Sequence, residues 1–318
     1  MQQIKIIKNR SDIGAGTRGS DLGIDAIEIA AINKGSDYFS RYSYVDIETE
    51  NDAVYTKQNT PFAKRIKKVL KVCERLSDAV QLIAKSNDFP LVLSGDHSSA
   101  LGSISGMKLA EPNKRLGVVW IDAHADIHSP HTSPSGNIHG MPLAAALAED
   151  NKDRKINEVT DETRKTWEGL KNIGGIEPKV LAEDVVYFGV RDTEEPEDYI
   201  ADKIGIKNYK VDEVRFRGLQ TCVSESLNRL KNCDHIYISF DVDSLDCDLI
   251  SKGTGTPVSK GFDQFEVMEI INQIIESGKV SCFEVVEVNP TLDEKGNFMA
   301  ETAFDVLDSV TTKIESLK

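Results

Sequence analysis

Short runs of β-branched and aromatic residues alternate along the chain with longer segments whose apolar positions recur at helical spacing. "FPLVLSG" (89–95), "LGVVWIDAH" (116–124), "DVVYFGVRD" (184–192), "HIYISFDVD" (235–243) and "VSCFEVVEVNP" (280–290) are nearly continuous apolar runs. A strand with one wet face alternates apolar and polar residues. A continuous run instead predicts a strand covered on both faces, as in a parallel sheet. "IKII" (4–7) continues the pattern, and "YSYVDIE" (42–48) predicts a further strand. "IDAIEIAAI" (24–32), "AKRIKKVLKVCERLSDAVQLIAKS" (63–86), "SSALGSISGMKLA" (98–110) and "FDQFEVMEIINQIIESG" (262–278) predict helices. This alternation predicts an α/β fold, a doubly wound and mainly parallel sheet flanked by helices. The segment 150–175, rich in Lys, Asp and Glu, reads as a surface excursion. With no internal repeat and no break in composition, 1–318 reads as a single domain.

The 40% hydrophobic share is ordinary for a globular chain of 318 residues. A formal charge of −14 disfavours a nucleic-acid partner, which calls for a basic stripe. No apolar run has membrane-spanning length, and "MQQIKIIKNR" lacks a signal-peptide core, which predicts a cytoplasmic protein without a membrane partner. The five cysteines (73, 222, 233, 247 and 282) are scattered, odd in number and in no CxxC pair, so they read as reduced thiols.

In open α/β sheets ligands bind beyond the carboxyl ends of the strands. Four of the apolar runs end there in acidic or metal-competent residues. They deliver Asp96 and His97; Asp122, His124 and Asp126; Asp241 and Asp243; and Glu287. A spacing of two on an extended chain puts side chains on one face, so 122, 124 and 126 can point together, as can 241 and 243. Taken singly, His97 reads equally well as a hydrogen-bonded structural histidine, and each Asp as a cap or turn residue. Together they are clustered acids without cations: Lys and Arg are absent from 94–105, 120–143 and 284–293, and only Lys252 falls within 236–257. Buried carboxylates without compensation are costly, and metal ions are the most economical neutralisers. Two histidines (97, 124) and four aspartates (122, 126, 241, 243) are too many for one zinc. They suit two ions, and an oxygen-rich shell with some imidazole suits Mn²⁺, with Co²⁺ or another divalent ion also accommodated. Two such ions can share a water and lower its pKa toward ~7. The remaining negative charge, with no Arg or Lys clamp, disfavours a phosphate ester and favours a small cation such as a guanidinium or amidine.

"GDHSSALGSISG" (95–106), "DAHADIHSPHTSPSGNIHGMPL" (122–143), "SFDVDSLD…GTGTPV" (239–258) and "EVNP" (287–290) together resemble the ureohydrolase family. "SPSGNIHGMP" is similar to the arginases within it. "GAGTRGSDLGIDAI" (14–27) and "FGVRDTEEPEDYI" (188–200) extend the resemblance over nearly the whole chain. It implies a three-layer α/β/α fold of roughly eight strands and a homo-oligomer, trimer or hexamer. It also implies two Mn²⁺ ions held by His97, Asp122, His124, Asp126, Asp241 and Asp243. The implied reaction is hydrolysis of L-arginine to L-ornithine and urea by a metal-bridging hydroxide. Asp126 or His139 would protonate the leaving amine, and Glu287 would orient the guanidinium. Ser135 and Asn137 would meet the substrate carboxylate, Glu194 and Glu197 its ammonium group, with Thr256 of "GTGTPV" also at the substrate. Turn chemistry for Ser135 and Asn137, and a solvated helix start for Glu194 and Glu197, are the plainer alternatives. Another guanidino substrate, such as agmatine or guanidinobutyrate, or a non-catalytic metal-binding homologue are the alternative functions.

Three departures from the family pattern stand out. His128 takes a position that is usually Asn at the substrate carboxylate. Glu194 replaces a shorter Asp, and Ser94-Gly95 stands for Gly-Gly. The loop "DCDLISKGTGTP" lacks the usual prolines, which predicts a looser loop with an exposed Cys247. His131 is left as a loop histidine.

Overall fold

The computed structural model describes residues 3–317; the two N-terminal residues and the last one of the expected 1–318 domain lie outside them. Eight strands form one sheet: β1 (Ile4–Asn9), β2 (Tyr44–Asp46), β3 (Phe89–Ser94), β4 (Leu116–Ile121), β5 (Val185–Phe188), β6 (Lys207–Tyr209), β7 (His235–Asp241) and β8 (Val280–Val286). Their order is β2-β1-β3-β8-β7-β4-β5-β6, and every neighbouring pair is parallel.

The continuous apolar runs are explained by two cores, one on each face. Along β4, Val119 and Ile121 enter one core and Val118 and Trp120 the other; β5 divides its residues the same way. One core is closed by helices Gly23–Asn33, Gln264–Ile275 and Phe298–Ser316, the other by Ile66–Lys85, Ala100–Ala110 and Pro142–Leu147. In Ile66–Lys85, Ile66, Val69, Cys73, Leu76, Val80 and Ile83 are buried, a stripe at helical spacing. Its neighbour Ala100–Ala110 approaches closely because a Cβ at Gly102 or Gly106 would lie 2.8 Å from Cys73 O or 2.6 Å from Ser77 O.

Two expectations are corrected. The charged segment 150–175 is more than a surface excursion: it carries helix Asp161–Lys171, whose Trp167 and Leu170 are buried in the second core. Charge on its outer face masked an amphipathic helix. The 245–256 loop is anchored and Cys247 is buried, its Sγ 3.7 Å from Ser259 Oγ. Leu245 bridges to Phe262, and the Arg191 guanidinium donates to the carbonyls of Asp243, Leu245 and Val258. Backbone anchoring replaces the missing prolines.

Candidate metal centre and substrate cleft

β3, β4, β7 and β8 are adjacent in the sheet, so their carboxyl ends open onto one place. His97 follows β3 in a single helical turn capped by Asp96, whose side chain accepts from Ser98 N. Asp96 also accepts from Gly14 N at 2.8 Å, drawing the 12–23 loop over the site. Trp120 of β4 stacks on His97 with ring centroids 4.0 Å apart, and Ser239 Oγ lies 2.7 Å from His97 Nε2. These contacts aim His97 Nδ1 at the carboxylates of Asp122, Asp126 and Asp241, at 3.0, 3.0 and 3.1 Å.

A second group gathers beside the first. His124 Nδ1 lies 3.0 Å from Asp243 Oδ2 and 3.5 Å from Asp122 Oδ1. Asp122 thus stands between two donor groups, one oxygen toward each. The expected common face of residues 122–126 is not how they meet. β4 ends at Ile121, and Asp126 adopts φ 49°, a left-handed conformation that returns its carboxylate to the His97 group. Likewise β7 ends at Asp241, so Asp241 joins His97 while Asp243 joins His124. Thr256 Oγ1 donates to Asp243 Oδ2 at 3.1 Å.

These donors suit divalent cations. Asp122, Asp241, Asp243 and His97 are almost wholly buried, and His97 Nδ1 and Asp122 Oδ2 have no hydrogen-bond partner although they face each other. Without a cation, protons must do the neutralising. Burial opposes charge on His97, but the three carboxylates outweigh it and hold its pKa well above the ordinary value. Burial and the Asp122 charge raise Asp126 to about 6, and burial with Asp243 and Asp122 raises Asp241 well above the carboxylate range.

His139 and Glu287 adjoin this end. Glu287, at φ 66°, is buried and accepts from His97 N at 3.0 Å, while His139 Nδ1 lies 3.1 Å from the same oxygen. Burial alone would lower His139; Glu287, Asp126 and Asp96 together raise it to about 9.

The outer end is built from loops. Twelve of the fourteen expected site residues line one cleft; Asp122 and Glu287 lie behind its wall. Ser135 and Asn137 form one side. Across the cleft, Glu194 caps helix Glu195–Ile204 in a capping box with Glu197. The plain helix-start reading is therefore true of their backbone partners, yet Glu197 is buried and both face the cleft. Burial raises Glu197 to about 7, the nearby His128 imidazole only partly offsetting it. His128 Nδ1 lies 3.0 Å from Thr132 Oγ1, and its Nε2 is 2.5 Å from Glu194 Oε2 and 3.5 Å from Glu197 Oε2.

Sequence reasoning missed three contributors. Asp192 lies 3.6 Å from His124 Nε2. Lys64 Nζ donates to Asn137 Oδ1 at 3.1 Å, and Arg65 donates to Ala15 O at 3.0 Å. The segments 94–105 and 120–143 carry no cation of their own, but the residues just before helix Ile66–Lys85 bring two. His131 is buried with Nδ1 unpartnered and lines no part of the cleft.

A parallel α/β sheet with paired His–Asp groups at its carboxyl edge defines the class: a protein whose buried side chains could hold metal ions beside a cleft. A family model described as the Arginase family matches residues 2–312. The chain is similar to the arginase of Bacillus subtilis, 35% identical over 98% of each chain. It is 37% identical to Arginase-1 of Homo sapiens over 74% of this chain and 69% of that one. The solved arginase of Bacillus caldovelox superposes with TM-score 0.81 at 35% identity, covering 98% of both chains. The chain belongs to the arginase family of metal-dependent hydrolases.

Proposed function

We propose that this protein hydrolyses the guanidinium group of L-arginine to L-ornithine and urea at a site for two divalent ions, Mn²⁺ foremost. The observation that carries the reading is Asp122, one carboxylate set between two separate groups of donors. His97, Asp122, Asp126 and Asp241 would hold one ion; Asp122, His124 and Asp243 would hold the other. When bound, such ions supply a water made nucleophilic at neutral pH.

The residues around them do the rest. Glu287 and the Asp side chains favour the cationic guanidinium by charge. His139, held by Glu287 through Nδ1, keeps Nε2 for proton transfer, and the Glu287 carboxylate beside it favours the charged imidazole that can donate to the departing amine. Ser135 and Asn137 would meet the substrate carboxylate and Glu194 and Glu197 its ammonium group. Thr256 would steady Asp243. The His139–Glu287 pair is not needed to bind metal, which speaks against a non-catalytic homologue. A cytoplasmic location and a trimeric or hexameric assembly belong to the same reading.

One observation favours a second substrate. His128 occupies Glu194, which would weaken recognition of an α-ammonium group and admit another guanidino compound. Urea release decides between the two. Metal-stripped protein reloaded with Mn²⁺, Co²⁺, Ni²⁺ or Zn²⁺ should release urea from L-arginine in preference to agmatine and guanidinobutyrate. Preference for one of the latter would establish the second reading, and no urea from any pairing would overturn both.

A further inference from the structure

The cleft is acidic, yet a zwitterionic substrate must bring a carboxylate into it. The segment before helix Ile66–Lys85 addresses this. Gly136 has φ 72°, and a Cβ there would lie 2.0 Å from Pro61 O, so residues 61–62 press directly on the Ser135–Asn137 loop. Lys64 N donates to Gly136 O at 2.8 Å, and Lys64 Nζ to Asn137 Oδ1 at 3.1 Å. On the other side Arg65 holds the carbonyl of Ala15, and Gly16 packs closely on Asn137 Nδ2, which a Cβ there would meet at 2.5 Å.

An ammonium group only donates. Lys64 therefore fixes which way the Asn137 amide points: Oδ1 toward Lys64, Nδ2 away from it on the Gly16 side. Among the described residues Lys64 forms no ion pair, so its charge is not cancelled locally.

Resting on the ureohydrolase reading above, we propose that Lys64 is a specificity-determining residue for the carboxylate end of the substrate. It orients Asn137 so that the amide presents a donor, and it supplies positive charge at the rim of an otherwise acidic cleft. Without it the amide is free to turn its oxygen toward the incoming carboxylate.

The test uses the metal-loaded full chain and calorimetric binding of L-ornithine, which carries the carboxylate, and putrescine, which does not, with urea release measured in parallel. Lys64→Met should weaken L-ornithine roughly tenfold, the scale of a hydrogen bond to a charged group, and leave putrescine unchanged. It should raise the KM for L-arginine more than it lowers kcat. Lys64→Arg should recover most of the L-ornithine affinity, and metal content should match the wild type in both variants. Equal loss for both ligands, or unchanged L-ornithine affinity in Lys64→Met, would overturn the proposal. Wild type that binds L-ornithine but releases no urea would sink the hydrolytic reading while still testing Lys64. Wild type that binds neither ligand would overturn both.

Discussion

At the inner end of the cleft, the donors hang from the carboxyl ends of β3, β4 and β7, strands buried in two cores. At the outer end, Ser135 and Asn137 ride on a loop, Glu194 and Glu197 on a helix start, and Lys64 on a segment more than seventy residues earlier in the chain. The inner end is fixed by the sheet and carries chemistry general to a cation-binding hydrolase. The outer end is fixed by contacts between loops, and there this chain departs from the family pattern at His128 and Glu194, which meet each other, while Lys64 meets Asn137. The difference separates turnover from selection.

The largest effect should follow from breaking the inner end. Asp122→Ala removes the carboxylate between the two donor groups and should abolish urea release, with metal content falling together with it. Atomic absorption on the dialysed variant checks the second half, and full ion content would break the assignment. His139→Ala should cost less, roughly a hundredfold in kcat, with ion content intact. Retained turnover would remove His139 from the chemistry.

The inner end was legible in the sequence because each donor terminates an apolar run, and a carboxylate there is hard to explain otherwise. His97, Asp122 and Asp241 stood out through that position together with the absence of Lys and Arg around them. Their grouping did not follow: the left-handed turn at Asp126 and the end of β4 at Ile121 divide what period-two spacing put together. The outer end was legible only through resemblance. Lys64 sits in a helix-like run of cations that reads as a solvated face, and its contact with Asn137 depends on loop packing across 73 positions. β6 was invisible because "KNY" has no apolar run, its place in the sheet coming from pairing with β5.

The smallest effect sharpens the outer end. Glu197, raised to about 7 by burial, takes up a proton as pH falls through that value and loses the negative charge that would face an ammonium group. The KM for L-arginine should therefore rise about fivefold from pH 8 to pH 6, the worth of roughly 1 kcal/mol. Glu197→Gln should flatten that rise. A profile unchanged in the variant would assign the pH dependence to another group.

The central claim is that two donor groups sharing Asp122 make a site for two ions. The most direct measurement is the number of divalent ions per chain in dialysed, urea-releasing protein, counted by inductively coupled plasma mass spectrometry. Two per chain is the predicted result; full turnover with a single ion per chain would contradict it.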